Sequence, residues 1–317
     1  MRTVLFQLLV GRLAIGLATL FIVAIVVFSA TMLLPGDVVE VLLGQAATPE
    51  AIAGLRTAMH LDDPAPVRFV HWLMGLLQGD LGQSYVNNLP VADLIASRLP
   101  NTLRLAGVTA AIAIPLSLFL GITAAVMRGT PYDRTVSILT VAVISVPEFM
   151  TATLAVLFFS VWLGWLPALS HLNHVDSIGD MMRVYAMPVI SLTFVVSAQM
   201  IRMTRAGVIE TLDSPYAEMA RLKGASPARV VLRHALPNAL GPIVNAMALS
   251  LSYLLGGVII VETIFNYPGI ARLMVDAVAT RDLPLIQSCA MIFCVGYLIL
   301  VMLADIVALM ANPKLRG

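Results

Sequence analysis

Charge is what this sequence has least of. Only 12% of its 317 residues are Asp, Glu, Lys or Arg, whereas a soluble domain carries roughly 25%. Hydrophobic residues make up 59% of the chain, and the mean hydropathy is +0.93. These values exclude a water-facing globular fold and predict an all-α polytopic membrane protein. The net charge of +1 gives no reason to expect a nucleic-acid partner.

Cysteine is scarce, and the common signatures of catalysis are absent from the sequence. Cys289 and Cys294 are five residues apart in one apolar run. On a helix they would point in different directions, so we expect them to pack rather than to form a disulfide. The sequence contains no G-x-x-x-x-G-K-[ST], H-E-x-x-H or G-x-S-x-G. We therefore expect a chain that is not an enzyme, cannot hydrolyse ATP itself and binds no cofactor.

Six apolar runs reach the roughly 20 residues that a membrane-spanning helix needs. They lie at about 9–34, 103–127, 136–165, 185–205, 240–263 and 285–309. The first run is too long for the apolar core of a cleaved signal peptide, so we interpret it as a span. The third is interrupted by Pro147, which predicts a kink or a break.

The distribution of Lys and Arg predicts the orientation of these spans. If the N-terminus is cytoplasmic, the inner side holds Arg2, Arg12, Arg128, Arg134, Arg202, Arg205, Arg221, Lys223, Arg229, Arg233, Lys314 and Arg316. The outer side then holds Arg56, Arg68, Arg98, Arg104, Arg183, Arg272 and Arg281. Because the basic residues are more numerous on the inner side, both termini are expected to be cytoplasmic.

The first outer loop, about 35–100, is too long to be a plain connection. Helical patterns at about 49–59 and 66–78 indicate a small folded cap. Its helices would either rest on the bilayer surface or contact a partner, and the sequence does not separate these alternatives. We accordingly divide the chain into 1–34 (cytoplasmic end and first span), 35–100 (outer cap), 101–310 (remaining spans) and 311–317 (cytoplasmic end).

Glu148 is an ionisable residue within the third run, and such residues often have a function in membrane proteins. It would line a pathway, or it would be hydrogen-bonded to backbone groups that the Pro147 break sets free. Ser197 and Asn245 are further possible pathway residues, with Ser191, Gln199 and Ser252 also polar within spans. A pathway of this kind also fits a carrier or channel that works without ATP.

His171 and His174, with Asp176 nearby, have a spacing that a metal site could use. They fall in a short loop without a closed set of ligands. Chance is the better explanation of this spacing, so no metal site is expected.

The longest polar segment between apolar runs in the C-terminal half extends from Ser214 to Pro237. Ser214 and Pro215 predict the N-cap and first position of a short helix, and Gly224 predicts its end. Tyr216, Met219 and Ala220 are expected on one face of this helix, because their spacing is helical.

Ser226 and Pro227 repeat the start signal, so a second short helix is expected from about 227 to 235. Leu236 and Pro237 are expected to close it. Both helices would lie against the membrane rather than cross it. From the residues alone, an interfacial amphipathic segment anchored by its Arg and Lys side chains remains an equal alternative to a functional one.

The spacing within this segment resembles the EAA loop of ABC importer permeases, which reads Glu-Ala-Ala, three residues, Gly, nine residues, Ile, one residue, Leu-Pro. Glu218, Ala220, Gly224, Leu236 and Pro237 match it. Met219 replaces the first Ala, and His234 replaces the Ile. The run RHALPNAL, which begins at Arg233, is similar to the dipeptide/oligopeptide/nickel branch of these permeases.

Further fragments of the chain resemble the same branch, in the same order. They are HLDDP (60–64), GDLGQSY (79–85), RLPNTLRLA (98–106), VETIFNYPGI (261–270), RDLPLIQ (281–287) and NPKLRG (312–317), in which Asn312 replaces the usual Asp. The resemblance thus covers nearly the whole chain.

The resemblance implies a type I ABC importer permease fold with six transmembrane helices, in the bacterial cytoplasmic (inner) membrane. It implies that 206–239 is a cytoplasmic coupling segment that seats on an ATPase. Tyr216 and Met219 would then supply apolar contacts, and Glu218 a polar contact or a cap. The remaining residues of the motif are Ala220, Gly224, Arg233, Leu236 and Pro237.

The implied partners are a homologous second permease, two cytoplasmic P-loop ATPase subunits and an extracytoplasmic solute-binding protein, with lipid around the spans. ATP and Mg would be held by the ATPase subunits. Peptides are the expected solute, given the breadth of the branch, and nickel or another small solute remains open.

Overall fold

The computed structural model describes residues 2–34, 36, 38–170 and 177–311 of the chain. The helices are α1 (Arg2–Met32), α2 (Val38–Leu43), α3 (Pro49–Ala58), α4 (Ala65–Gln78), α5 (Val91–Val126), α6 (Pro131–Ser145), α7 (Glu148–Ala155), α8 (Ile178–Leu212), α9 (Pro215–Leu222), α10 (Pro227–Arg229), α11 (Leu236–Ile264), α12 (Ile270–Thr280) and α13 (Leu283–Ala311). A 3-10 turn over Gly44–Ala46 follows α2, and π-helical stretches cover Val156–Trp162 and Val230–Ala235. No strand forms within these described ranges, and the predicted all-α class is confirmed.

Five helices of the described chain are long and apolar enough to cross a membrane. They are Val10–Met32, Val91–Val126, Gly179–Leu212, Pro227–Ile264 and Leu283–Leu303. A bent pair, Pro131–Ser145 with Glu148–Trp162, supplies a sixth candidate span. The structure therefore has the six apolar segments that the sequence predicted, in the predicted order.

The bend in the third span lies at Pro147, where the sequence predicted it. The span is bent there by 105°. Val146 is extended, with φ −96° and ψ 129°, because the ring of a proline disfavours the helical conformation in the residue before it. Pro147 then serves as the N-cap of α7. The proline breaks the span into two helices, so its effect is larger than a kink.

The chain divides into two compact units. One comprises Phe6–Thr102 and Pro268–Gly296, and the other is built mainly from Leu103–Tyr267. The first unit has a core of buried residues from α5, α12 and α13: Val91, Ile95, Ile270, Ala277, Leu285, Ile286 and Cys289. Both cysteines are free thiols, and Cys289 packs in this core as the sequence predicted.

The fragments that carried the family resemblance hold this first unit together. The Ser84 hydroxyl donates a hydrogen bond to the Asp282 carboxylate, and the Tyr85 N–H donates to the same carboxylate over 3.1 Å. The Ile270 N–H donates to Thr102 Oγ1 over 2.9 Å. Asp282 is almost fully buried, so these bonds satisfy a carboxylate that would otherwise be costly to bury.

The two helices predicted in the first outer loop are present as α3 and α4. Phe69 and Trp72 of α4 pack against Phe28 of α1, with ring centroids 5.3 and 5.9 Å from that of Phe28. This aromatic face of α4 is therefore covered by the chain itself. α5 begins at Val91 and so includes the last part of the predicted loop. The apolar run marked only the later part of α5, whereas its first turns are fixed by the buried core of the unit.

The second unit packs α6, α7, α8 and α11 together with the short helices between α8 and α11. Its core near those short helices consists of Ala125, Val208, Leu212, Ala217, Ala220, Val230, Val231, Ala235, Ala239 and Ile243. Five of these ten residues are alanines, which allow the helices to approach one another closely.

Gly121 marks a close approach of α5 to α8 within the second unit. A Cβ at this position would lie 2.7 Å from the Cβ of Thr204 and 3.0 Å from the backbone oxygen of Ile201. Gly121→Ala is expected to destabilise the protein by about 2 kcal/mol, because backbone cannot move aside as a flexible side chain would. The measurement is the Tm of the purified chain in detergent, determined by circular dichroism.

Gly107 provides the control for this substitution. It lies in the same helix, and a Cβ there would meet no atom within 4 Å. Gly107→Ala is expected to leave the Tm unchanged or to raise it, because Ala has the higher helix propensity. Equal Tm values for the two variants would contradict the close approach at Gly121.

Candidate functional site

α9 begins where the sequence predicted it. Ser214 is the extended N-cap residue and Pro215 is the first helical residue. The Ser214 side chain makes no capping bond, because its hydroxyl donates instead to the Thr211 oxygen at the end of α8, over 2.5 Å. The start of α9 is thus fixed to α8 by a local hydrogen bond.

The end of α9 is a Schellman turn at Gly224. Gly224 has φ +82°, a left-handed conformation that glycine adopts without strain. Its N–H donates to the Arg221 oxygen over 2.9 Å, and the Ala225 N–H donates to the Ala220 oxygen over 3.1 Å. These two bonds satisfy carbonyl groups that the end of a helix leaves open. The predicted stop at Gly224 is confirmed.

α9 has one face seated on the protein and one face exposed. Ala217 and Ala220 are buried in the core of the second unit. Tyr216, Met219 and Leu222 are 44, 56 and 77% exposed and are spaced three residues apart, so they form one apolar stripe. We call Tyr216, Met219 and Leu222 the exposed stripe.

The prediction that Tyr216, Met219 and Ala220 share a face is wrong for Ala220. Its small side chain fits the close contact between α9 and the core, where the larger side chains of the exposed stripe would not fit. Glu218 is also exposed, beside the stripe. It lies in the first turn of α9, where a carboxylate is favoured by the helix dipole.

The predicted second helix does not stop at Leu236 and Pro237. α10 passes through a π-helical stretch directly into α11, so one continuous helical segment extends from Pro227 to Ile264. In the wider turn the Leu236 N–H bonds to the Val231 oxygen, five residues back. In a regular helix the ring of Pro237 would clash with the preceding turn, and the wider π turn avoids this clash. Proline has no N–H, and the π turn does not require one at this position.

The residues of the segment around the π turn differ in exposure. Arg233 and Pro237 are exposed, whereas Leu236 is partly buried against the core of the second unit. The side-chain amide of Asn238 donates to the His234 oxygen over 2.8 Å. That bond satisfies a carbonyl group in the region where the regular helical pattern is interrupted.

A buried ion pair holds the last part of α8, ahead of α9. Arg205 Nε donates to Asp133 Oδ1 over 2.6 Å, and Arg205 Nη2 donates to Asp133 Oδ2 over 2.9 Å. The Gly129 N–H donates to the same carboxylate over 2.9 Å. Closer to α9, Arg128 Nη1 lies 2.8 Å from Asp213 Oδ2 in an exposed pair. One ion pair therefore connects the first turn of α6 to α8, and the other connects the turn before α6 to the residue that follows α8.

Glu148 lines a cavity of about 360 Å³ within the second unit. The cavity lies at the Pro147 break, with Ser191 and Gln199 from α8 and Ser250 and Gly257 from α11 in its wall. The Glu148 carboxylate makes no hydrogen bond to described residues. It approaches Gly257 so closely that a Cβ there would be 3.3 Å from Glu148 Oε2. The carboxylate thus faces the cavity and does not bind the backbone freed by Pro147.

Two further polar groups in the wall of this cavity have no partner. The Oγ atoms of Ser191 and Ser250 are buried and, within the described part of the chain, make no hydrogen bond. Buried polar groups normally have a partner. Because these two oxygens are themselves inaccessible, the Glu148 carboxylate is the group that makes the wall suitable for a polar ligand or water.

The other predicted pathway residues do not join Glu148. Ser197 lines a separate, apolar groove formed by α5, α6 and α8. Asn245 is exposed on α11 and is not among the residues lining the Glu148 cavity. Of the polar span residues named from the sequence, Ser191 and Gln199 do line that cavity, whereas Ser252 does not.

The histidines His171 and His174 lie outside the described residues, as does Asp176. Among the residues that the structure describes, no group of three or more His, Cys, Asp or Glu side chains is placed to hold a metal ion.

Sequence reasoning missed several residues of these sites. Tyr253 and Gly257 line the Glu148 cavity, and the Asp133–Arg205 pair lies behind α9. Glu262 is fully buried in α11 although it is charged. The signal for Glu262 was available, because a carboxylate near the end of an apolar run is unusual. For Tyr253 and Gly257 the only signal in the sequence was their helical spacing of four residues. This spacing does not reveal which helix they face.

Comparison with known proteins identifies the family. The family model described as "Binding-protein-dependent transport system inner membrane component" matches residues 117–317, and the model of the corresponding N-terminal region matches 5–106. A peptide transport system permease protein of Brucella abortus (strain 2308) is 36% identical over 309 residues, which cover 98% of each chain. The glutathione transport system permease protein GsiC of Escherichia coli O6:H1 is 38% identical over 307 residues, covering 97% of this chain and 98% of that one.

A solved structure of the MetNI methionine ABC transporter in inward-facing conformations has a similar fold. The TM-score is 0.56 at 19% identity, and the match covers 69% of this chain and 96% of that chain. This likeness shows the fold alone, and it agrees with the all-α arrangement of spans described above.

The spans and the family matches together define a multi-pass membrane transport subunit of the ABC importer permease class, which is a class of transport subunits and not of enzymes. More particularly, it belongs to the family of binding-protein-dependent transport system inner membrane components. The resemblance found from the EAA spacing is confirmed.

Proposed function

We propose that this chain couples ATP hydrolysis by a partner to the movement of peptides across the bacterial inner membrane. The observation that carries the proposal is the exposed stripe of α9. Three large apolar side chains stand outward on a short helix that is held at its start by Thr211, at its end by Gly224 and beneath by two buried alanines. An apolar stripe on a fixed helix suits docking into a groove of an ATPase subunit.

The connections of α9 allow a movement of this helix to reach the Glu148 cavity. α8 leads into α9 through Asp213 and Ser214, and the chain after Gly224 continues without a stop into α11. α8 and α11 both contribute to the wall of the cavity. A displacement of α9 by the ATPase would therefore move two walls of the cavity as rigid helices, which is the basis of alternating access.

The proposed assembly contains a homologous second permease, two cytoplasmic P-loop ATPase subunits that hold ATP and Mg, and an extracytoplasmic solute-binding protein. The excess of Lys and Arg near α9 supports a cytoplasmic position for this helix and for both termini. An exposed interfacial helix without a protein partner is the competing interpretation, and the assembly experiment below separates the two.

Peptides are the proposed solute because two of the relatives named above are a peptide permease and a glutathione permease. Both kinds of solute carry an ammonium group. The Glu148 carboxylate, which has no partner among the described residues, suits such a group. Nickel is the alternative solute, and parallel uptake assays with a labelled dipeptide and with nickel distinguish the two.

The test of the proposed function is purification of the tagged chain from native membranes in mild detergent, followed by mass spectrometry of the associated proteins. A second six-span permease and P-loop ATPase subunits are expected to co-purify. Uptake by membrane vesicles should then require ATP. A chain that repeatedly purifies alone, with uptake that needs no ATP, would instead support a carrier or channel.

Glu148→Gln is expected to lower ATP-driven peptide uptake roughly tenfold, because the loss of one charge-assisted hydrogen bond to an ammonium group costs about 1.5 kcal/mol. The measurement is initial uptake rate in vesicles at equal amounts of assembled importer. Glu50→Gln, which removes an exposed carboxylate on α3, is the control and should have no effect. Equal uptake by the two variants would contradict a role for Glu148 in the pathway.

A further inference from the structure

Three arginines of the first unit line one cavity. Arg56 of α3, Arg68 of α4 and Arg281, which follows α12, contribute to a space of about 330 Å³. All three are partly buried. Leu34 and Leu283 also line it, so the cavity combines guanidinium groups with apolar side chains. We call this space the arginine cavity. Neither the EAA spacing nor the proposed pathway uses it.

The arginine cavity lies at the boundary between hydrocarbon and water. Leu34 follows the end of α1 by two residues, and Leu283 is the first residue of α13. Both helices are apolar enough to span a membrane. The amide of Gln287 donates to Thr31 Oγ1 over 2.8 Å, which fixes the end of α1 at the depth of the second turn of α13. The ends of two spans thus place the cavity at the level of lipid headgroups.

The described residues neutralise the positive charge of the cavity only in part. Arg56 Nε is 2.9 Å from Asp62 Oδ1, an exposed carboxylate. Arg68 Nη1 donates to the Leu61 oxygen over 3.1 Å, so it has a neutral partner. The Arg281 guanidinium makes no hydrogen bond or ion pair with the described residues.

The backbone gives the Arg281 guanidinium its place. It lies against Gly36, where any Cβ would collide with it, and Gly36 has φ +93°. Arg281 itself is left-handed, with φ +58°, at the end of α12. The left-handed backbone of Gly36 and of Arg281 thus directs the Arg281 guanidinium into the cavity.

We propose that the arginine cavity binds the phosphate of an anionic phospholipid headgroup. Guanidinium groups suit phosphate because their N–H groups bind two oxygens in parallel. The apolar wall would contact the glycerol and the first methylenes of the lipid, a contact that a soluble anion would lack. The site would anchor the short helices α3 and α4 at the membrane surface, where an anionic lipid attracts basic side chains.

The test uses the full chain purified in detergent and native mass spectrometry with phosphatidylglycerol and phosphatidylcholine of identical acyl chains. Phosphatidylglycerol is expected to be retained at least tenfold more tightly. Arg281→Gln and Arg68→Gln should each weaken its binding roughly fivefold. Arg98→Gln is the matched control, because Arg98 belongs to the same unit and does not line the cavity. It should retain the binding of the unchanged protein.

Several results would overturn the proposal. Equal binding of the two lipids would show that headgroup charge is not recognised, and unchanged binding by Arg281→Gln would place the lipid elsewhere. Equally tight binding of glycerol 3-phosphate would indicate a soluble anion rather than a lipid. Loss of binding-protein docking with normal lipid binding in Arg281→Gln would assign the cavity to a protein partner.

Asp37 needs its own variant, because it follows Gly36 in the sequence and lies outside the described residues. Asp37→Asn should bind phosphatidylglycerol as the unchanged protein does. Lipid binding that is seen only in Asp37→Asn would show that the chain's own carboxylate normally fills the site, and the proposal would be wrong. Circular dichroism of each variant checks that a loss of binding is not a loss of fold.

Discussion

Gly224→Asp is expected to abolish ATP-driven uptake while the protein still inserts and folds. A Cβ at Gly224 would meet no described atom within 4 Å, so space is available for it, and the strain of a side chain at φ +82° is modest for Asp. Its charge would instead stand at the exposed end of α9, beside Leu222 of the exposed stripe. A carboxylate that must be desolvated in a docked interface without a partner costs several kcal/mol, enough to prevent productive docking.

Gly224→Asn is the matched control. Asn has nearly the volume of Asp and adopts the left-handed conformation about as readily, so the two variants differ in charge and share the backbone effect. We expect Asn to retain most of the uptake. Glu218→Lys, which reverses an exposed charge beside the stripe, should also abolish uptake. The measurements are uptake by vesicles and the amount of ATPase that co-purifies.

These variants also separate the docking interpretation from the interfacial one. If α9 only rests on lipid, a single carboxylate at its end shifts its depth slightly and leaves transport intact. Normal uptake by both Gly224→Asp and Glu218→Lys would remove the coupling role. Loss of uptake together with loss of the protein from the membrane would point to misfolding, and insertion is therefore assayed for every variant.

The sequence was sufficient wherever one residue type dictates the local backbone. Pro147 broke the third span because a proline restricts the residue before it, and Gly224 ended α9 because the turn needs a positive φ. The apolar runs gave the number and order of the spans, because each run must match the thickness of a bilayer. These rules are local and need no knowledge of the neighbours of a residue.

The sequence was insufficient where the outcome depends on residues far apart in the chain. Pro237 predicted a helix end, yet the π turn before it removed the clash, and no local pattern announced that turn. Ala220 was grouped with Tyr216 and Met219 because helical spacing shows which residues lie near one another but not which of them face the core. The bond from Ser84 to Asp282 joins residues 198 positions apart, and spacing along the chain cannot reveal such a pair.

Asp133→Asn is expected to lower the free energy of unfolding by about 3 kcal/mol. The carboxylate of Asp133 is only 6% exposed and accepts two hydrogen bonds from Arg205 and one from Gly129. When the charge of Asp133 is removed, the Arg205 guanidinium remains largely buried and has no negative charge opposite it. The measurement is the Tm of the purified chain in detergent, which should fall by several degrees.

The exposed ion pair between Arg128 and Asp213 is the control for the buried pair. Arg128 and Asp213 have nearly the same separation, but their side chains are 58 and 60% exposed. Asp213→Asn should therefore change the free energy of unfolding by at most about 0.5 kcal/mol. The double variant Asp133→Asn with Arg205→Gln should lose less than the sum of the single losses, because no buried charge is left without a partner.

The same variants test whether the buried pair serves transport as well as stability. Arg205 lies in the part of α8 that leads into α9, so a loosened α8 would transmit less of the movement of α9 to the Glu148 cavity. Asp133→Asn should then lower the uptake per assembled importer even at temperatures where the protein remains folded. If Asp133→Asn had the same Tm as Asp213→Asn, the buried pair would not stabilise the protein as proposed. If Asp133→Asn lowered the Tm and left the uptake unchanged, the role of the pair would be restricted to stabilising the fold.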